Sequence, residues 1–366
     1  MTVVAGAGIV ADGLPLDEPA WVELDGDRIT GVGRGTRAGA HVVDDAVLVP
    51  GFVDLQVNGV GPVDFATADA AAWRGALREQ ARHGVTACCP TLVSAPLDAY
   101  VAPLAVASAL ARADADGAVI VGVHLEGPFL GGAPGAHVVE YLRPADESWL
   151  RGVLDAHPGL VRVVTLAPEA DPGLRATRLL HDAGVVVAIG HSTATYDAAR
   201  AAAAAGASLV THLYNGMGPF NHRDPGVVGA ALDDPRLTPS LIADLVHVHP
   251  AALRLAIGAK RSVALVTDAV AVGGALEWDV RDGAARLADG TLAGAVQPMD
   301  AAVRNVVALG VPLERAIELA STIPSEVLGA TDRGRLEPGR RADVVALDRE
   351  SLKVRAVWIG GRPVEL

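Results

Sequence analysis

Eight short apolar runs, separated by stretches rich in Ala, Leu and Arg, constrain the fold of this chain more than any other feature. Apolar runs of this length that alternate with helical segments are typical of parallel strands buried on both faces. Eight strands are the number that a (β/α)8 TIM barrel requires, so the sequence predicts an α/β fold of that type. The runs are FVDLQV from Phe52, VTACCP from Val85, VIVGVHL from Val119, VRVVTLA from Val161, VVVAIG from Val185, SLVTH from Ser208, SLIADL from Ser240 and VALVTD from Val263.

The two ends of the chain have a sequence pattern that differs from that of the central α/β region. Residues 1–50 contain short strand-like segments separated by turn dipeptides such as Asp12-Gly13 and Asp25-Gly26, and ADVVALD and VRAVWIGG near the other end repeat this pattern. We therefore expect both termini to form one small β-sandwich domain, residues 1–50 plus 334–366. It would lie beside a catalytic barrel of residues 51–333.

Two connecting segments allow more local predictions. In TATYDAARAAAAAGA, Thr193 is a plausible N-cap of a connecting helix and Gly206 lies beyond its end. Residues 273–294 interrupt the alternation with Gly-rich, strand-like pieces, which we expect to form a hairpin over the barrel mouth.

Charge and hydropathy exclude several classes of protein. The formal net charge is −13 and no basic stripe occurs, which argues against a nucleic-acid or anionic-membrane partner. An anionic substrate would need a local cluster of cations. The first residues do not resemble a signal peptide, and no apolar stretch reaches about 18 residues, so we expect a cytoplasmic protein without a membrane span. No glycine-rich nucleotide-binding motif is present.

Polar side chains stand where the apolar runs stop. In a TIM barrel the carboxyl ends of all the strands meet on one face, where active sites lie. A single histidine after a strand is usually a solvated or capping residue, but several residues of metal-ligand or acid–base type at successive strand ends favour an active site. These residues are Gln56, Asn58, Thr91, His124, Glu126, His191, His212, His247 and Asp268.

Four of these residues suggest a hydrolytic mechanism. Glu126, His191 and His212 supply one carboxylate and two imidazoles, a set that leaves an open position for water on a divalent ion such as zinc. Metal-bound water becomes a nucleophile near neutral pH. Asp268 is the natural general base, which would then return the proton to a leaving amine; the structural alternative is a helix cap.

Ten short motifs in fixed order connect the chain to a known family. They are QVNGVG at 56–61, GVTACCPTL at 84–92, HLEGPF at 124–129, GAH at 135–137, IGHSTATY at 189–196, THLYNGM at 211–217, RDPG at 223–226, HVHP at 247–250, VTDA at 266–269 and LEPGRRADVVALD at 336–348. Through them the chain resembles the N-acetylglucosamine-6-phosphate deacetylases of the amidohydrolase superfamily over nearly its whole length.

The resemblance implies hydrolysis of N-acetylglucosamine 6-phosphate to glucosamine 6-phosphate and acetate. It implies one divalent metal ion per chain, with Zn²⁺ favoured over Fe²⁺, Co²⁺ or Mn²⁺. Gln56 and Asn58 stand where many superfamily members carry a His-x-His for a second metal, and neutral amides are weaker ligands for zinc. The implied roles are metal ligand for Glu126, His191 and His212, catalytic base for Asp268, and donor to the scissile carbonyl for His137.

The resemblance also implies how the substrate is bound. Asn215, Gly216, His247 and Arg223 would contact the sugar and its phosphate, and His222 is an additional candidate cation. In the resembled family the matching arginine reaches into the neighbouring subunit's site. A homodimer with shared active sites is therefore expected.

Two departures from the family pattern concern substrate choice. Leu245 replaces the usual small residue before the sugar-binding histidine, and residues 294–299 read GAVQPM where a hydroxyl-bearing loop is usual. They leave open whether N-acetylgalactosamine 6-phosphate or other acyl groups are accepted.

Two alternatives to a deacetylase remain. One is another amide or cyclic-amide hydrolase of the same superfamily, and the other is a catalytically inactive scaffold. The GAH and RDPG motifs favour the deacetylase.

Overall fold

In the computed structural model, which describes residues 1–113, 116–273 and 279–366, the eight predicted strands are confirmed. We number these barrel strands 1 to 8 in chain order. They are Phe52–Val57, Val85–Val93, Val123–Glu126, Val161–Leu166, Val186–Ile189, Ala207–Val210, Thr238–Ile242 and Ala264–Val266. Each is followed by a helix, in the order Ala70–Arg82, Val101–Ala111, Glu147–Ala156, Arg175–Asp182, Tyr196–Ala204, Gly226–Asp233, Pro250–Ala259 and Met299–Ala308.

The strands form a parallel barrel that closes between its first and last members. Neighbouring barrel strands pair in parallel from strand 1 through strand 8. The seam between strands 8 and 1 is held by hydrogen bonds rather than a regular ladder. Asp268 N donates to Gln56 O at 2.9 Å, and Asn58 N donates to Ala269 O at 2.7 Å. Below them, the Asp54 carboxylate accepts the Thr267 hydroxyl at 2.5 Å. The chain is therefore a (β/α)8 barrel.

Burial explains why these segments form strands and helices. All six residues of barrel strand 1 are buried, as expected for a strand covered on both faces. The helix Ala70–Arg82 begins where the Asp69 carboxylate accepts the N–H groups of Ala71 and Ala72. Its inner face carries the fully buried Trp73, which meets Phe65 edge to face at a centroid distance of 4.6 Å.

The connecting helix after strand 5 begins two residues later than predicted. Its N-cap is Thr195, whose hydroxyl accepts from Ala198 N at 3.2 Å, so the assignment to Thr193 is wrong. Thr193 instead donates its N–H to the Glu169 carboxylate at 2.8 Å. Gly206 does lie just beyond the helix, with a φ of 118° that favours glycine.

Strands from the two ends of the chain pair directly with each other. Ala46–Pro50 runs antiparallel to Val344–Asp348, and a second hydrophobic cluster that includes Val22, Leu48 and Trp358 lies among these strands. One sheet contains Arg28–Arg34, Ala20–Asp25, Thr2–Gly6 and His41–Val42; the other contains Gly8–Ile9, Ala46–Pro50, Val344–Asp348, Val354–Ile359 and Arg362–Pro363.

The region of the predicted hairpin contains three strands. Asp279–Arg281, Ala284–Arg286 and Leu292–Ala295 form a small antiparallel sheet, while residues 274–278 lie outside the described part of the chain. Ala295 N donates to Asp268 O at 3.0 Å, which connects this sheet to the carboxyl end of strand 8.

The remaining short helices are Leu97–Tyr100, Val139–Tyr141, Pro168–Ala170, Pro172–Leu174, Leu313–Ile317, Glu318–Thr322 and Ile323–Val327. The remaining short strands are Val119–Ile120, Gly59–Val60 and Val63–Asp64. Within the described ranges, no helix has the length and apolar character needed to cross a membrane.

The contact between Trp73 and Phe65 should contribute strongly to stability. We expect Trp73→Ala to lower the free energy of unfolding by about 3–5 kcal/mol, because a large ring is lost from a filled site. The control Leu255→Ala, at a side chain that is 70% exposed, should change it by less than about 0.5 kcal/mol. Chemical denaturation of both variants measures this. Equal midpoints would contradict the assignment of Trp73 to the core.

Candidate active site

Three potential metal ligands meet at the carboxyl end of the barrel. Glu126 ends strand 3, and His191 and His212 follow strands 5 and 6. Glu126 Oε1 lies 3.2 Å from His191 Nε2 and 3.0 Å from His212 Nε2, and the two Nε2 atoms are 3.1 Å apart. All three side chains are buried. The three residues that the sequence predicts as ligands are thus brought together.

The protonation of these residues fits a metal ion at their centre. His191 Nδ1 lies 3.1 Å from Ala133 O, and since a carbonyl oxygen can only accept, Nδ1 carries the proton. Its Nε2 therefore presents a lone pair to a carboxylate oxygen and to a second imidazole. A cation between them removes this repulsion, and one carboxylate with two imidazoles leaves an open coordination position.

Glu126 and His212 shift each other's pKa. Burial lowers the pKa of His212, but the hydrogen bond and charge of Glu126 outweigh burial and raise that pKa to about 8. Burial would raise the pKa of Glu126, yet its contacts with the imidazoles of His191 and His212 hold it well below its usual value. Glu126 therefore stays ionised, as a carboxylate must be to bind a metal ion.

The backbone at these strand ends is strained. His191, His212 and Asp268 have φ angles of 49°, 30° and 49°, in the left-handed region that L-residues rarely adopt. Each such residue costs on the order of 1–3 kcal/mol and persists where surrounding structure enforces it. Here the Ser240 hydroxyl accepts the N–H of His212 at 2.8 Å, and Gln56 O accepts that of Asp268. This clustering supports a functional site.

Gln56 and Asn58 hold the predicted base rather than a second metal. Gln56 Nε2 donates to Asp268 Oδ1 at 3.0 Å and to Glu126 Oε1 at 2.9 Å, and Asn58 Nδ2 donates to Asp268 Oδ1 at 2.8 Å. Burial, followed by the negative charge of Glu126, raises the pKa of Asp268 to about 6. Sequence reasoning considered these amides only as poor ligands and missed their role as donors.

His137 lies beside the three ligands as a neutral donor. Its Nε2 is 3.2 Å from His191 Nε2, while its Nδ1 accepts from Ser94 N at 3.4 Å. Nε2 therefore carries the proton. Burial, followed by the electrostatic effect of the neighbouring His191, lowers the pKa of His137 to about 3. A neutral N–H beside the ligand set can donate to a carbonyl oxygen.

A cavity of about 390 Å³ opens above these groups. Most predicted substrate residues line it, whereas His222 and Arg223 lie in the exposed segment 219–224 of the same chain and do not. Among the lining residues in the described part of the chain, none is Lys or Arg. The predicted residues that line the cavity are Glu126, His137, His191, His212, Asn215, Gly216, His247 and Asp268.

Asp244 is a site residue that sequence reasoning missed. Its Oδ2 lies 2.6 Å from His247 Nδ1, and its Oδ1 accepts the N–H groups of Val246 and His247. Burial would raise the pKa of Asp244, but the hydrogen bond and charge of His247 lower it. The pair orients the imidazole and leaves Nε2 for a ligand. The spacing of three residues between Asp244 and His247 is the sequence feature that could have indicated this pair. Between them, Leu245 adopts a φ of 66°, which explains the usual small residue there.

Comparison with known proteins agrees with this geometry. Residues 47–364 match the Amidohydrolase family, and the chain belongs to that family. It is therefore a metal-dependent hydrolase.

Among the members of this family, the chain is similar to N-acetyl hexosamine 6-phosphate deacetylases. The N-acetylglucosamine-6-phosphate deacetylase of Bos taurus is 39% identical over 97% of this chain and 93% of its own. The N-acetylgalactosamine-6-phosphate deacetylase of Escherichia coli O157:H7 is 40% identical over 87% of this chain and 88% of its own. A solved structure of an aspartate-to-alanine mutant of the Mycobacterium smegmatis N-acetyl-D-glucosamine-6-phosphate deacetylase, in complex with N-acetyl-D-glucosamine-6-phosphate, superposes with a TM-score of 0.91 at 36% identity, covering 100% of this chain and 99% of that one.

The ligand set predicts the metal content. We expect about one divalent ion per chain, and we expect His212→Ala to lose it because two remaining ligands bind zinc weakly. His157→Ala, a control at the end of an outer helix, should retain the ion. Elemental analysis of purified protein measures this. Two tightly held ions per chain would contradict the single site.

Proposed function

We propose that this enzyme hydrolyses N-acetylglucosamine 6-phosphate to glucosamine 6-phosphate and acetate. The observation that carries the proposal is the hydrogen-bonded unit in which Gln56 links the ligand Glu126 to the carboxylate of Asp268. This unit joins a metal-ligand set to a base, as hydrolysis of an amide requires. The names of the bovine and mycobacterial relatives support the choice of substrate.

The metal ligands and Asp268 have different roles in the proposed reaction. Glu126, His191 and His212 would hold a divalent ion, for which we propose zinc, and its positive charge would polarise the amide and acidify water. Asp268 takes a proton from the attacking water and delivers it to the leaving amine. Since Gln56 and Asn58 both bond its Oδ1, Oδ2 is the oxygen we assign to that transfer.

Other residues bind and orient the substrate in this proposal. His137 donates its Nε2–H to the acetyl oxygen as negative charge develops there. Asn215, Gly216 and His247 contact the sugar from the cavity wall. N-acetylgalactosamine 6-phosphate is a second candidate substrate, because the Escherichia coli relative is named for it and the loop 294–299, whose Gly294 lines the cavity, departs from the pattern of the resembled family.

We also propose that the two terminal sheets form a separate small β-sandwich domain. It would comprise residues 1–50 plus 334–366, beside the barrel of residues 51–333. The hydrophobic cluster around Val22, Leu48 and Trp358, distinct from the barrel core, supports this division.

An acetate-release assay with Asp268→Asn tests the reaction. The wild-type chain should release acetate from N-acetylglucosamine 6-phosphate, and the variant should lose about 10²–10⁴-fold in kcat because an amide cannot take up the proton. Since Asp268 must be ionised, kcat/KM should also fall as the pH drops through the range near 6.

The control for this assay is Asp197→Asn, at an exposed aspartate on an outer helix. It should match the wild type in kcat and KM across N-acetyl hexosamines with and without a 6-phosphate. Near-normal turnover by Asp268→Asn would move the base to another residue. No acetate from any of these sugars would refute the proposed activity.

The phosphate requires a strong cation, and among the described residues no lysine or arginine lines the cavity of one chain. We propose a homodimer in which Arg223, with His222, enters the cavity of the neighbouring subunit. The guanidinium is suited to phosphate through its planar fork of donors. The segment 219–224 is exposed, and so is the large apolar side chain of Phe220, at 59%, which supports a contact there.

Arg223→Ala tests this contact. KM for the 6-phosphate substrate should rise about 10- to 100-fold, since a charged hydrogen bond contributes about 1.5–3 kcal/mol. Turnover of the unphosphorylated sugar should barely change. The control Arg254→Ala removes an exposed arginine from an outer helix and should change neither.

Subunit mixing shows whether the contact is made in trans. A dimer of one Arg223→Ala chain and one Asp268→Asn chain has one site with both groups intact. Low-KM activity should therefore return on mixing. A monomer in solution, or no recovery despite demonstrated exchange, would rule out the shared site.

A further inference from the structure

A buried chain of hydrogen bonds runs across the barrel interior close to the metal-ligand set, and the proposed reaction does not use it. His124 Nδ1 lies 3.1 Å from Leu55 O, and His124 Nε2 lies 2.7 Å from the Thr165 hydroxyl. The Thr165 hydroxyl lies 2.7 Å from that of Thr211. His124, Thr165 and Thr211 are each at most 1% exposed. The chain thus joins strands 1, 3 and 4 to the end of strand 6.

The direction of these hydrogen bonds follows from their partners. Leu55 O can only accept, so Nδ1 of His124 is the protonated nitrogen and Nε2 of the neutral ring accepts. The Thr165 hydroxyl must donate to Nε2, and its oxygen is then left to accept from Thr211. Removal of the Thr165 hydroxyl would take away the partner of His124 Nε2 and of the Thr211 hydroxyl.

Each metal ligand follows closely on a member of this chain or on a residue packed against it. His124 precedes Glu126 by two residues on the same face of strand 3, and Thr211 directly precedes His212. Gly190, which directly precedes His191, is pressed against both threonines: a Cβ there would lie 2.7 Å from Thr165 Cγ2 and 2.9 Å from Thr211 Cβ.

We propose that His124, Thr165 and Thr211 are positioning residues that set the spacing of the metal ligands. Resting on the proposed metal site, this inference assigns them no contact with substrate or metal. Their hydrogen bonds hold the strand ends at fixed separation, so that Glu126, His191 and His212 converge although His191 and His212 have strained backbones. Outer groups that orient ligands in this way typically change metal affinity about 10- to 100-fold when lost.

Two substitutions at Thr165 separate hydrogen bonding from packing. Thr165→Val keeps the shape and removes the hydroxyl, whereas Thr165→Ser keeps the hydroxyl and removes the methyl that faces Gly190. Thr86→Val is the matched control: Thr86 is equally buried on strand 2, and its hydroxyl bonds Phe52 O at 3.4 Å. Zinc-loaded full-length proteins are equilibrated with a zinc-binding dye, and the dye absorbance reports the zinc released.

We expect Thr165→Val to weaken zinc affinity about 10- to 100-fold, with Thr165→Ser and Thr86→Val close to the wild type. Wild-type affinity in Thr165→Val, or equal weakening by serine and valine, would overturn the proposal. If Thr165→Val does not fold, as judged by circular dichroism, Thr211→Val and Thr211→Ser provide the same comparison.

The readout is independent of the proposed substrate. A wild-type chain that binds zinc but releases no acetate would refute the deacetylase proposal and leave the dye experiment interpretable. A wild-type chain that binds no zinc would refute the metal site and this inference together.

Discussion

The close approach of Glu126, His191 and His212 is the constraint on which the rest of the site depends. Three atoms that each present lone pairs lie within 3.2 Å of one another in a buried setting. Without a cation or a proton between them this arrangement is unfavourable, so the scaffold must impose it. A closed barrel is suited to this task, because each strand is held on both sides and its carboxyl end cannot move independently.

The same constraint governs the second carboxylate. Asp268 and Glu126 are both buried, and burial together with the negative charge of Glu126 raises the pKa of Asp268. Gln56 reduces this repulsion by donating one N–H to each carboxylate, and Asn58 adds a further donor to Asp268. A pair of amides at the carboxyl end of strand 1 therefore fits the proposed site with one metal. Histidines at these positions would supply ligands for a second one.

The sequence predicts the barrel and the ligand set because both depend on local pattern. Apolar runs locate the strands, and the residue after each run must lie at the common face. Pairings between distant segments have no such pattern. The donor role of Gln56 toward Asp268 joins residues 212 positions apart, and Thr193 bonds Glu169 instead of capping its helix. These depend on the packed barrel, and only Asp244 and His247 were close enough for spacing to indicate a pair.

The division between strands and loops explains how one barrel serves related substrates. Groups that carry the proposed chemistry stand at strand ends, where hydrogen bonds across the barrel prevent movement. The exposed segment 219–224 belongs to a connection, which tolerates change because few buried contacts depend on it, and residues 291–294 line the cavity at the small sheet after strand 8. A change of sugar can therefore arise in these segments while the ligand geometry stays constant. An acidic protein that binds a phosphosugar must then obtain its cations from such segments, since a lysine or arginine among the ligands would oppose the metal ion.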